Sequence, residues 1–141
     1  MKVYVWKHSG NSYKLRVLLA LLEVDYEEVM VNFRTHEHKS AEYRRINPRG
    51  QVPAIVDGDS VLWDSAACLV YIARKFGGEQ WLPSDPARMA EVMNWVALAG
   101  NEMLYGLQYA QGGIALEPFP RIVAWLVRCK ALPKWPERWK V

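Results

Sequence analysis

Val3-Tyr4-Val5-Trp6 is a short apolar run with the β-branched and aromatic bias of a buried strand. A turn cluster, Ser9-Gly10-Asn11-Ser12, follows it. Leu15, Leu18, Leu19 and Leu22 then recur at i, i+3, i+4 and i+7, which predicts an amphipathic helix starting near Ser12. Tyr26 to Val31 reads as a second strand, and a strand, helix and strand joined by a right-handed crossover make a parallel pair. The polar stretch from Asn32 to Ile46 predicts a loop with one short helix over 41–45. Val52-Pro53 opens a third strand at Ala54-Ile55-Val56, Asp57-Gly58 signals a hairpin turn, and Val61-Leu62-Trp63 returns as its partner. A helix over 65–76 carries Ala66, Leu69, Val70, Ile72 and Ala73 on its apolar face and stops at Gly77-Gly78.

Pro83 and Pro86 fit neither helix nor strand, so residues 81–86 are expected to form a linker between a first domain over 1–80 and a helical segment over 87–141. That segment predicts a helix over 87–109, with Ser84 or Asp85 as N-cap, Pro86 at its first position and a stripe through Met89, Val92, Met93, Val96, Ala99 and Met103. Gln111-Gly112-Gly113 ends it. A last helix over 119–132 puts Ile122, Trp125, Leu126 and Cys129 on one face, and Pro133 and Pro136 close it. Two helices cannot enclose a core alone, so they are expected to pack on the first domain or on another chain.

Composition narrows the function classes. With 51% hydrophobic residues in 141, the chain has material for one core with a small annex. The net charge of +3 is mild, and the basic residues gather only toward the end, at Arg121, Arg128, Lys130, Lys134, Arg138 and Lys140, without a nucleic-acid-binding motif. A solvated surface is expected there, and no nucleic acid. Cys68 and Cys129 form no CxxC pattern and read as buried thiols. No signal-peptide core and no run near the ~18 apolar residues of a membrane span occurs, so the expectation is a cytoplasmic protein with no membrane partner. His36 and His38 lack further ligands nearby, so no metal is expected.

Proline at the mouth of a strand cannot donate to a ladder, which leaves the Val52 backbone at an edge where it can serve a ligand. Asp64-Ser65, at the start of the 65–76 helix, is by itself equally consistent with an ordinary helix cap.

The segments NPRGQVPAIVDG and LWDSAACLVYIARKFG together resemble the glutathione-binding half of the soluble glutathione S-transferases. HSGNSYKLRVLLALL resembles the active-site turn and first helix of the serine-type classes, such as theta and zeta. The agreement covers residues 1 to about 86. It implies an α/β fold: a thioredoxin-like N-terminal domain, with a mixed four-stranded sheet, helices and a cis Val52-Pro53 bond, followed by a truncated all-α segment. DPARMAEVMNWV resembles the first helix of the family's second domain and FPRIVAWLVRCKALPKW one near its end, with the middle of that bundle missing.

The resemblance also implies roles. Glutathione is the expected co-substrate, and its thiol, with a free pKa of ~8.5, needs a donor that favours the thiolate. Ser9 occupies the family's serine position, with Asn11 and Ser12 as rivals. Val52 is expected to pair through its backbone with the cysteinyl residue ahead of Pro53, Ser65 to meet the γ-glutamyl carboxylate, and Asp64 its ammonium. His38 and Gln51 are expected to hold the glycyl carboxylate. Arg49 or Lys39 could substitute, because Gly50 stands where the family often has a basic or polar residue. Trp95, Met103, Tyr105 and Tyr109 are the candidates for the electrophile site, with core or dimer packing the favoured role for any single one. The implied activity is transfer of the thiol to a small electrophile, or reduction of a peroxide or disulfide, by a homodimer. The other reading is a non-enzymatic thioredoxin-fold interaction module.

Overall fold

Alternation along the first strand, β1 (Lys2–Val5), sorts the interior into two clusters. Successive side chains of a strand face opposite sides. Val3 and Val5, both fully buried, enter one cluster with Leu15, Leu18, Leu19, Ile55, Cys68 and Ile72, while Tyr4 and Trp6 pack against the other, built on Val31, Tyr43 and Val52. The structure, a computed structural model, describes residues 1–100 together with Ala124, Val127, Arg128 and Ala131.

The first helix, α1 (Gly10–Leu21), begins two residues before the leucine spacing suggests, because Ser9 takes the N-cap and its Oγ accepts from the Ser12 N–H at 3.1 Å. Strand β2 (Glu27–Met30) lies parallel to β1. Arg16, only 4% exposed, donates from Nε and Nη2 to both carboxylate oxygens of Glu28, at 2.7 and 2.9 Å, and so ties α1 to β2. A fork of this kind holds direction as well as distance.

After a 3₁₀ turn (Glu37–Lys39), Ser40 caps the short helix α2 (Ala41–Ile46) through its Oγ. Strand β3 (Ala54–Asp57) runs antiparallel to both β1 and β4 (Ser60–Trp63), giving the mixed order β2-β1-β3-β4 that the resemblance implies.

Helix α3 (Ser65–Ile72) continues as a π-turn over Ala73–Gly77, and Gly78, at φ +61°, redirects the chain into the single turn α4 (Gly78–Trp81). The inward face of α3 is Ser65, Cys68 and Ile72, with Leu69 and Val70 partly buried beside it. Cys68 is buried as expected, while Ser65 lies outside the expected apolar face; both small side chains fit the inward face of the helix. Leu82 is buried to 3% exposure in the main core, so the proline-rich stretch is pinned at its start. Asp85 takes the N-cap of α5 (Pro86–Leu98), accepting from the Arg88 N–H at 2.9 Å, and Pro86 stands in its first turn. Of the expected helix over 119–132, Ala124, Val127 and Arg128 are helical, Ala131 forms a turn, and the remainder lies outside the described residues, as do Met103, Tyr105, Tyr109 and Cys129. Among the described residues no helix is long and apolar enough to cross a membrane, and no three or more His, Cys, Asp or Glu side chains group to hold a metal.

Candidate ligand cavity at the start of α1

A cavity of about 720 Å³ opens where the N-termini of α1 and α3 meet the approach to β3, with α5 as its roof. Ser9, Asn11 and Lys14 line it from α1, Arg49, Gln51 and Val52 from the segment before β3, and Asp64, Ser65, Ala66 and Leu69 from α3. Trp6 and Phe33 form one wall, while Met93, Val96, Ala97 and Gly100 face it from above. Two helix N-termini directed at one space favour a ligand carrying negative charge.

The approach to β3 is held from behind. The Gln51 carbonyl accepts from the Tyr43 hydroxyl at 2.7 Å and from Asn47 Nδ2 at 2.7 Å, and Asn47 Oδ1 accepts from the Arg49 N–H at 3.0 Å. Asn47 is 1% exposed, and burial pushes the Tyr43 phenol well above its ordinary value, so both act as neutral hydrogen-bonding groups. Gly50 is at φ +60°, and a Cβ there would lie 2.5 Å from the His38 carbonyl oxygen, so glycine is needed for both conformation and room. The Val52–Pro53 bond is cis.

At the opposite wall, Asp64 has φ +75°, a sparsely populated conformation for a residue with a side chain. Its Oδ1 accepts from the Ala66 N–H at 2.9 Å and its Oδ2 from Arg49 Nη1 at 3.1 Å. The Ser65 hydroxyl, in a residue only 8% exposed, donates to Asn11 Oδ1 at 3.3 Å. A helix cap, a cross-cavity ion pair and a helix-to-helix hydrogen bond thus converge within two residues.

Six of the nine residues singled out from sequence line this cavity: Ser9, Asn11, Gln51, Val52, Asp64 and Ser65. Ser12 does not. It is fully buried, and its Oγ accepts from the Trp6 N–H at 3.2 Å. Pro53 is buried behind Val52. His38 stacks on Phe33, with ring centroids 3.9 Å apart and planes 6° from parallel, and its buried Nδ1 has no hydrogen-bond partner among the described residues. Its pKa is lowered by burial first, then by Lys39, His36 and Arg44. Trp95, expected at the electrophile site, is 72% exposed and outside the lining. The residues that do face the cavity from α5 are Met93, Val96 and Ala97, with Gly100 just past its end, a face whose start was visible in the apolar stripe. Lys14 was overlooked, although it stands one helical turn after Asn11 and so shares its face.

Residues 1–74 match the family model described as glutathione S-transferase, N-terminal domain. Glutathione S-transferase Z1 of Arabidopsis thaliana is 35% identical over 108 residues, which is 77% of this chain and 47% of that protein. A solved glutathione transferase homolog from Sulfitobacter with bound glutathione superposes with a TM-score of 0.62 at 26% identity, over 71% of this chain and 48% of that one. A possible glutathione S-transferase from Rhodopseudomonas palustris superposes with a TM-score of 0.77 at 25% identity, over 96% of this chain and 95% of that one. The chain spans about half the length of the curated relatives it matches, or less. The four-stranded mixed sheet, the cavity beside Val52 and the match over residues 1–74 agree: this chain belongs to the glutathione S-transferase family, through that family's thioredoxin-like N-terminal domain.

Proposed function

We propose that the cavity binds glutathione and activates its thiol for transfer to a small electrophile or for reduction of a peroxide or disulfide. The observation that carries this reading is the arrangement of Ser9, Val52 and Ser65 around one space, with two helix N-termini directed into it. In this reading the Val52 backbone pairs with the cysteinyl residue as an added strand, which keeps the thiol beside the first turn of α1. Ser9 or Asn11 donates to the sulfur and favours the thiolate. Ser65 and the N-terminus of α3 receive the γ-glutamyl carboxylate, and Asp64 receives its ammonium. The electrophile enters under α5, against Leu69, Met93, Val96 and Ala97.

Gln51 lines the cavity and is our choice for the glycyl carboxylate, with Arg49 beside it; His38 is stacked on Phe33 and is not among the lining residues. We propose a cytoplasmic homodimer. The free, buried thiol of Cys68 suits a reducing compartment. Val61 and Trp63 on β4, Phe76 after α3, and Met89 and Trp95 on α5 leave apolar surface for a second copy to cover.

Isothermal titration with glutathione tests the binding, followed by a spectrophotometric assay with an aromatic halide as electrophile. Micromolar to millimolar binding with turnover is expected. Binding without turnover would favour the interaction-module reading, and no binding would end the proposal.

A further inference from the structure

Among the described residues lining the cavity, Asp64 is the one carboxylate, and two cations share the space with it: Arg49 from the segment before β3 and Lys14 from α1. Arg49 Nη1 lies 3.1 Å from Asp64 Oδ2. The charge on Asp64 is also felt at Lys14, whose pKa burial lowers and Asp64 raises. One negative charge thus answers two positive ones. A ligand ammonium brought to Asp64 would be a third cation around a single carboxylate, and like charges at that range repel.

Arg49 and Asp64 are not equally free to move. Asp64 has φ +75°, and its Oδ1 accepts from the Ala66 N–H at 2.9 Å, so the carboxylate is held in place as the cap of α3. Arg49 is held at its backbone, where the N–H donates to Asn47 Oδ1 at 3.0 Å, and its side chain, 51% exposed, reaches Asp64 from that base. Arg49 is therefore the partner that yields. An exposed pair of this kind is worth at most about fivefold in an equilibrium constant, so a ligand ammonium can replace it but gains little by doing so.

We propose that Arg49 is a selectivity residue: it competes with the ligand's ammonium for Asp64, so that the cavity takes glutathione-like tripeptides without an α-amino group nearly as well as glutathione itself. The inference rests on the glutathione reading above, in which Asp64 receives the ammonium. A ligand with the amino group forms one ion pair and breaks another. A ligand without it leaves Arg49 and Asp64 paired, and the two free energies nearly cancel.

The test compares S-methylglutathione with its desamino analogue, S-methyl glutaryl-cysteinylglycine, by calorimetry on the unmodified chain, Arg49→Met and the double variant Arg49→Met with Asp64→Asn. Asparagine keeps the helix cap. Far-ultraviolet circular dichroism confirms folding, and Arg49→Gln replaces Arg49→Met if the latter does not fold. The ratio of the two affinities cancels any contact between Arg49 and the glycyl carboxylate, which both ligands carry. The expected ratio in the unmodified chain favours S-methylglutathione by no more than about fivefold. Arg49→Met should raise it by about twofold or more, and adding Asp64→Asn should abolish it. A larger preference in the unmodified chain overturns the inference. So does a smaller rise, or none, in Arg49→Met, or a preference that survives Asp64→Asn. Failure of the unmodified chain to bind S-methylglutathione overturns the reading of the cavity itself.

Discussion

The Ser65 hydroxyl donates to Asn11 Oδ1 across 54 positions of sequence, at 3.3 Å, and in doing so fixes the first turns of α1 and α3 against each other. Both residues line the cavity, so the bond sets the spacing between the proposed thiol end and the proposed γ-glutamyl end of the ligand. The hydroxyl has a single proton, so in the proposed complex it turns from Asn11 to the γ-glutamyl carboxylate. Ser65→Ala is expected to weaken glutathione binding by up to about 1.5–3 kcal/mol, the range for a hydrogen bond to a charged group, less the Asn11 bond given up. Calorimetry on Ser65→Ala, Asn11→Ala and the double variant should show non-additive losses, because the two share a bond. Full additivity would mean that they act separately.

Asn47 answers for the geometry of Val52 without touching the cavity. From a side chain that is itself buried, it supplies one of two donors to the Gln51 carbonyl and an acceptor to the Arg49 N–H. Asn47→Ala leaves buried partners unsatisfied and is expected to lower unfolding stability by about 1–3 kcal/mol. Tyr43→Phe removes only the second donor to the same carbonyl, and about 1 kcal/mol is expected. Urea denaturation of both variants checks the order of the two effects.

Gly50→Ala meets two obstacles together, a positive φ and the His38 carbonyl 2.5 Å from the new Cβ. A loss of about 2 kcal/mol or more is expected from left-handed strain with overpacking. A variant with unchanged thermal stability would show that the 3₁₀ turn over Glu37–Lys39 yields freely.

The Asp57 carboxyl is held below its ordinary value of 3.8 by the hydrogen bond from Lys75 first and by that from the Tyr71 hydroxyl second. A carboxylate whose folded pKa is depressed stabilises the fold fully above its unfolded value and loses that contribution as pH falls through the lower folded value. Thermal stability should therefore decline below about pH 3.8. In Asp57→Asn that decline should be shallower, with stability already lower at pH 7. A parallel decline in both proteins would remove Asp57 from the account.

Burial pushes the Cys68 thiol up to about 12, and its Sγ lies 3.8 Å from the Leu62 carbonyl oxygen. It is expected to resist alkylation by iodoacetamide in the native protein at pH 8 and to react fully in denaturant. Mass spectrometry of peptides containing Cys68 reads this directly. Rapid native labelling would show that α3 separates from the sheet.

The fold was largely legible because its elements have strong local signals. The alternation of Val3 and Val5 with Tyr4 and Trp6 gave a two-faced strand, and Asp57-Gly58 gave the hairpin. β2 was the harder strand, since Glu27-Glu28-Val29-Met30 sits at a sheet edge and is mostly exposed. Ser9, Val52 and Ser65 were found through motif resemblance, which follows chain order. Lys14 and Phe33 were missed because no motif marks them; Lys14 shares a helix face with Asn11, while Phe33 comes to the cavity through packing between segments distant in sequence. Of the two roles open to Trp95, the electrophile site falls away, since it lies outside the cavity lining: aromatic character says that a side chain will be covered, but only the rotation of α5 says on which side.

Leu82 gives that rotation a mechanical meaning. It is buried at the base of α5, and the 13 residues of α5 extend about 20 Å beyond Asp85. The helix is seated on the main core twice, by Leu82 ahead of its first turn and by Val92 in its middle. The height of Met93, Val96 and Ala97 over the cavity therefore follows from how Leu82 and Val92 seat among side chains such as Ile72 and Leu19, which do not line it. Selection acting on those interior positions could widen or narrow the range of accepted molecules while leaving every ligand-contacting residue as it is.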